Sequence, residues 1–138
     1  MEPTPRSTGF VIAPSNGSWA AIAQPVQDAL ASERIEIIWI ADVDAQVVNR
    51  HRYIDAADFV IADVTGENPN VMYEIGYAYG HRKPVLPIIE RGQTSVPSSL
   101  KGRLFFVYDK DDPMKLVEFL KKWLASYLAH TLVEEAVG

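Results

Sequence analysis

Phe59-Val60-Ile61-Ala62 is a continuous apolar run bounded by Asp58 and Asp63. A strand with one face in water alternates polar and apolar residues. A run without alternation is apolar on both faces, as expected of a central parallel strand with helices above and below it. A short polar loop containing Thr65, Gly66 and Glu67 follows, and then Asn68-Pro69-Asn70. Asn68 is a suitable N-cap, and Pro69 suits the first helical position, where a missing N–H costs nothing. The segment therefore reads as buried strand, loop and helix.

The rest of the chain repeats this alternation. Gly9 to Ala13 reads as a first strand ended by Pro14, and Ser15-Asn16-Gly17-Ser18 as a loop with Ser18 as N-cap. Ile22, Val26 and Leu30 are spaced for a helix over 19–32, with a kink or late start expected at Pro25. Arg34 to Ile40 reads as a strand, 45–56 as a weaker helix and Pro84 to Ile89 as a fourth strand. A polar loop over 91–99 and a fifth strand over 104–108 follow. Leu116, Phe119, Leu120, Trp123 and Leu124 mark one face of a helix over 112–128. Strands alternating with helices imply right-handed crossovers and a parallel sheet. The expected fold is a single-domain α/β, flavodoxin-like three-layer sandwich with a five-stranded parallel sheet in the order 2-1-3-4-5. Residues 1–8 are expected to form a flexible N-terminus, 9–129 the domain and 130–138 a C-terminal tail.

That strand order also predicts a location. Ligands of open α/β sheets bind outside the carboxyl ends of the strands, where the order reverses, here between the first and third strands. Those ends are Ala13-Pro14-Ser15-Asn16 and Asp63-Val64-Thr65-Gly66. The second leads into the helix that carries Glu74. On a helical wheel Val71, Met72, Ile75, Ala78 and Tyr79 form the sheet-facing arc, and Glu74 falls at its border, partly desolvated. Gly76 in the helix interior implies a packed neighbour or a ligand that needs the space. The bland readings are specific too: Glu74 as a solvated helix residue, Asn68 and Asn70 as caps, and Asp63 as an anchor for the loop after its strand.

Composition narrows the chemistry. The net charge of -5 over 138 residues argues against polymeric nucleic acid and anionic membranes as partners. It leaves room for one phosphorylated ligand at a helix N-terminus. With no cysteine there is no disulfide, thiolate metal site or cysteine nucleophile. His51, His81 and His130 are too far apart for a metal pattern, so neither metal nor other cofactor is expected. No apolar run approaches the roughly 20 residues that span a bilayer, and the polar 1–8 segment lacks a signal peptide's apolar core. The expectation is a cytoplasmic protein.

The pattern from Ala57-Asp58 to Asp63-Val64-Thr65, continued by Asn68-Pro69-Asn70-Val71-Met72-Tyr73-Glu74-Ile75-Gly76-Tyr77-Ala78, resembles the nucleoside 2-deoxyribosyltransferase superfamily. That superfamily includes nucleoside monophosphate N-glycosidases and shades into TIR-like domains that cleave NAD. The resemblance covers about a third of the chain, residues 56–86, with a weaker likeness over 10–15. It implies that Glu74 matches the family's catalytic glutamate and that the ligand is a small nucleoside, nucleotide or NAD-like molecule. A carboxylate beneath the anomeric carbon stabilises an oxocarbenium-like transition state or forms a covalent glycosyl-enzyme. Asp63 is the second catalytic candidate, and Pro14, Ser15, Asn16, Ser18, Thr65, Asn68 and Asn70 are candidate ligand-binding residues. Trp19 is a candidate base-stacking residue. By analogy with the family, the protein is expected to be a homo-oligomer with sites completed between subunits.

One position departs from the family. Members carry an aspartate eight residues before the strand-opening Asp58, where this chain has Arg50 between Asn49 and His51. Asp42, Asp44, His51 and Asp63 are possible substitutes. The arginine instead favours a nucleotide-binding sensor with little turnover, because a guanidinium can grip phosphate as a fork. A TIR-like NAD hydrolase active only on assembly is a third reading.

Overall fold

A computed structural model describes residues 6–40, 49–92, 96–100 and 102–137. Five strands, β1 (Ser7–Ile12), β2 (Ile35–Trp39), β3 (Phe59–Asp63), β4 (Val85–Glu90) and β5 (Phe106–Tyr108), form one sheet in the order β2-β1-β3-β4-β5. Every pairing is parallel. The connecting helices are α1 (Trp19–Ala31), α2 (Arg50–Ala56) and α3 (Pro69–Gly80), and α4 (Pro113–Val137) closes the chain. The fold is the flavodoxin-like sandwich, with the order reversal between β1 and β3.

The apolar run at 59–62 explains the architecture directly. All five residues of β3 are buried, and their side chains alternate between two cores. Phe59 and Ile61 join Val11, Leu86, Ile88 and Tyr108 beneath α1 and α4. Val60 and Ala62 join Phe10, Ile12 and Ile89 beneath α2 and α3. A strand with water on one side would not supply both layers. α3 contributes Val71, Ile75 and Ala78 as buried residues, with Met72 and Tyr79 packed at the edge, the arc expected from the wheel. Asn68 caps α3 through its Oδ1, which accepts from the N–H groups of Asn70 (2.9 Å) and Val71 (3.3 Å). Pro69 follows at the first helical position.

Several boundaries move. β1 begins at Ser7, so residues 7 and 8 belong to the sheet rather than to a flexible terminus. The Arg6 N–H donates to the Arg34 carbonyl (2.8 Å), and Asp58 Oδ2 accepts from the Thr8 N–H (2.8 Å). α1 runs through Pro25 without a break. Pro25 sits on the exposed face, where the ring forfeits one backbone bond and displaces no core contact. α4 continues through most of the segment expected to be a tail. Of the helix expected over 45–56, residues 45–48 lie outside the described residues, and the remainder starts at Arg50 with Asn49 as its cap. Among the described residues, no helix is long and apolar enough to cross a membrane.

Gly66 (φ 77°) and Glu67 (φ 51°) are both in the left-handed region, which turns the chain from the end of β3 into α3. Glycine takes that conformation without cost, and Glu67 does not.

Candidate functional site

Two polar clusters lie at the carboxyl edge of the sheet, one on each face. The first is built on α2 and α3. Glu74 lies in the second turn of α3 at the border of its buried arc, and its side chain keeps 12% of its accessible surface. Arg50, at the first position of α2, is equally enclosed. Its Nε lies 3.0 and 2.9 Å from the two Glu74 carboxylate oxygens. Its Nη1 donates to the carbonyl of Ile40, just past the end of β2, at 3.0 Å. The guanidinium carbon stands 5.4 Å from the centre of the buried Phe10 ring of β1. Three elements therefore fix the arginine, and the arginine fixes the carboxylate. Each Glu74 oxygen retains acceptor capacity beyond the Nε contact, since an ionised carboxylate has about four lone-pair positions.

Beside this pair runs a column of rings. His51 stacks on Tyr77 (centroids 3.8 Å apart, planes 8° apart), and His81 stacks on the same ring at 4.0 Å. Asp55 accepts from the Tyr77 hydroxyl at 2.9 and 3.0 Å. His51 is thus a packing partner of Tyr77. Asp42 and Asp44, the other proposed substitutes for the family aspartate, lie outside the described residues.

The second cluster lies on the α1 and α4 side. β3 alternation sends Asp63 to the same face as Phe59 and Ile61, away from α3 and Glu74. Asp63 is 1% exposed. Its Oδ1 accepts from the Thr65 hydroxyl (2.6 Å) and N–H (3.0 Å), and its Oδ2 from the Tyr108 hydroxyl (2.6 Å). Burial pushes the Asp63 carboxyl above its usual range, hydrogen bonds from Thr65 and Tyr108 oppose the rise, and the charge of Glu90 adds to it. Burial also raises the Tyr108 phenol, and the Asp63 charge reinforces the shift. Asp63 and Glu74, expected as a catalytic pair, are not brought together. Asp63 acts as the loop anchor, tying the β3–α3 turn to β5.

Glu90, at the end of β4, completes this cluster and was not expected from the sequence. Its Oε2 accepts from the Ser18 hydroxyl, its N–H donates to Thr65 Oγ1 (2.9 Å), and Lys110 Nζ stands 4.0 Å from its Oε1. Strand-end position was the available signal. Glu90 and Tyr108 close β4 and β5 as Asp63 closes β3, and side chains there face the ligand edge of such sheets. Ser18 does not cap α1, because its backbone is already helical (φ -63°, ψ -29°) and its hydroxyl is directed to Glu90.

The remaining candidates are spread along this edge. Pro14 and Ser15 are half-buried in the β1–α1 loop, and the Pro14 carbonyl accepts from the Gly17 N–H at 3.2 Å. Asn16 and Asn70 are exposed, and Asn68 serves as the α3 cap. Trp19 is fully buried and edge-on to Trp39 (82°), so its ring belongs to the core. A methyl group built on Gly76 would meet nothing within 4 Å, so no packed neighbour requires that glycine.

Neither protein-family models nor curated proteins give a match to this chain.

Proposed function

We propose that this protein breaks or transfers the N-glycosidic bond of a nucleoside, nucleotide or NAD-like ligand, with Glu74 as nucleophile or charge stabiliser. The observation that carries the reading is the enclosed Glu74 carboxylate held at both oxygens by Arg50, which also spans Phe10 of β1 and the carbonyl just past β2. An arginine partner is permanently charged and does not compete for the proton. The carboxylate is therefore held in one orientation on the helix that follows the β3 end, near the edge where sheets of this order take ligands.

In the covalent route a Glu74 oxygen forms a bond to the anomeric carbon as the carbon–nitrogen bond breaks. The bonding pair leaves with the base, which takes a proton from solvent or from a polar group at the edge. Water then opens the glycosyl ester, or a second base accepts the sugar. In the non-covalent route the same carboxylate faces the oxocarbenium-like sugar while water attacks. The family resemblance around Tyr73-Glu74-Ile75-Gly76 supports this chemistry. Completion of the site within a homo-oligomer belongs to the same reading, and light scattering on the purified protein tests it.

Incubation with a panel of nucleosides, nucleotides and NAD, followed by chromatography, tests the proposal. Free base is expected from at least one ligand with the wild type and not with Glu74→Gln.

Arg50 favours a second reading. A cation stands where the resembled family has an acid, and it already engages the carboxylate. A binding module for a small nucleotide would tolerate that arrangement. Tight binding in calorimetry without base release would select it.

A further inference from the structure

α2 carries Arg50, yet little in α2 itself decides where the helix sits. It has seven residues, too few for a helix to hold without outside support, and its one buried side chain is Ile54. Further points of attachment come from α3. Tyr77 follows Glu74 by three residues, so the two side chains are neighbours on the same side of that helix. The Tyr77 ring lies 3.8 Å from that of His51, the residue after Arg50, with the planes 8° apart. Its hydroxyl donates to the carboxylate of Asp55, near the other end of α2, and stands 2.9 and 3.0 Å from the two oxygens. His81 stacks on the same ring at 4.0 Å. Two near-parallel rings this close cannot share one face, so the phenol is clamped between two imidazoles. Lys83 holds the last turn of α2, where a helix presents unsatisfied acceptors: its Nζ donates to the carbonyls of Asp55 (2.6 Å) and Ala57 (2.9 Å).

We infer that Tyr77 is a positioning residue of the proposed site: by gripping α2 near both of its ends, it sets where Arg50 meets Glu74. The contacts of Arg50 to Glu74 and to the Ile40 carbonyl fix the side chain, and Tyr77 fixes the helix that presents it. Ring and hydroxyl act on different ends of α2, so losing the ring frees both ends and losing the hydroxyl frees one. The hydroxyl bond is exposed and competes with water, which makes the stacked ring the stronger hold. Displacing a reacting group by about 1 Å can cost about hundredfold in rate, so the placement of this short helix matters to catalysis. The inference rests on the N-glycosidic reading for what the pair does, and not for how the pair is held.

Exchange of the Arg50 Nε–H with water, followed by heteronuclear NMR and assigned by its loss in Arg50→Lys, reads the pair directly. Tyr77→Leu is expected to speed that exchange by about tenfold or more, and Tyr77→Phe, which keeps the ring, by less. Tyr108→Phe removes a buried hydrogen bond on the opposite face of the sheet and is expected to leave the rate as in the wild type, which separates a local effect from a general loss of stability. An unchanged rate in Tyr77→Leu, or the same acceleration in Tyr108→Phe, overturns the inference. Should Tyr77→Leu fold poorly, Tyr77→Phe and Asp55→Ala serve instead. Each is expected to speed exchange by about twofold or more, and the double variant no further than either alone, since all of them break one bond. No acceleration in either, or fully additive acceleration, overturns it. Where the wild type releases base, Tyr77→Leu is expected to lose kcat with KM little changed, and an unchanged kcat overturns the inference. If the wild type releases no base from any ligand, the N-glycosidic reading falls, while the exchange rates still decide the role of Tyr77.

Discussion

Arg50 and Glu74 meet across 24 positions of sequence, with Nε 3.0 and 2.9 Å from the two carboxylate oxygens and both side chains 12% exposed. Removing one partner from such an enclosed pair leaves a charge without compensation, which costs more than the pair is worth in net stability. Arg50→Met is expected to lower unfolding stability by about 1–3 kcal/mol. Glu74→Gln is expected to cost less, since arginine retains the Ile40 carbonyl and the amide oxygen can still accept. A double-mutant cycle by urea unfolding should give a coupling of about 1 kcal/mol or more. A coupling near zero would mean the pair is not formed in solution.

Asp63 makes a prediction about pH. Its folded-state carboxyl titrates above its ordinary value of 3.8, chiefly through burial. The folded state therefore holds this proton at pH values where the unfolded state has released it, and the Asp63 contribution to stability falls as pH rises from about that value. Asn in its place does not titrate. Urea unfolding of wild type and Asp63→Asn should show the wild type losing ground relative to the variant as pH rises above about 4. A difference that grows in favour of the wild type with pH would contradict the assignment.

Tyr108 closes the same network from β5. Tyr108→Phe keeps the ring in the core and removes the donor to a buried carboxylate oxygen. The expected loss is about 1–3 kcal/mol, read from denaturant midpoints at neutral pH. The loss should be smaller in an Asp63→Asn background, because a neutral acceptor suffers less without its donor.

Two glycines are expected to respond in opposite directions. Gly76 is exposed and helical with nothing within 4 Å of an added methyl, so Gly76→Ala should stabilise by up to about 1 kcal/mol. At Gly9 the added methyl carbon would stand 2.3 Å from the Phe59 ring. Gly9→Ala should destabilise by about 1–3 kcal/mol through overpacking, with part of the loss recovered by shortening Phe59 to Leu. Melting temperatures of the three variants check both signs.

Much of the fold could be read from the chain because its strongest local signals agree. Phe59 to Ala62 is apolar on both faces, and Asn68-Pro69 starts α3 where cap and ring both allow. The sheet-facing residues of α3 and α4 keep helical spacing. Boundaries were harder. Ser7 and Thr8 are polar and enter the sheet through backbone bonds, which leave no mark in side-chain type. α4 outlasts its clear apolar stripe. At the site, Glu74 could be placed by its position after the switch-point loop, but its partner could not, because Arg50 reaches it only once α2 and α3 pack side by side. Asp63 was misdirected for a related reason. Its strand end was identified correctly, but alternation along β3 turns it to the face opposite α3. Glu90 and Tyr108 lie at the ends of β4 and β5, outside the two strands flanking the order reversal, and join the polar network only once the sheet is assembled.

The most direct measurement is release of free base from a panel of nucleosides, nucleotides and NAD by wild-type protein and by Glu74→Gln with its fold verified by circular dichroism. The expected result is turnover of at least one ligand by the wild type and a loss of about hundredfold or more in the variant. Equal rates in both proteins, or no base from any ligand, would contradict a catalytic role for Glu74.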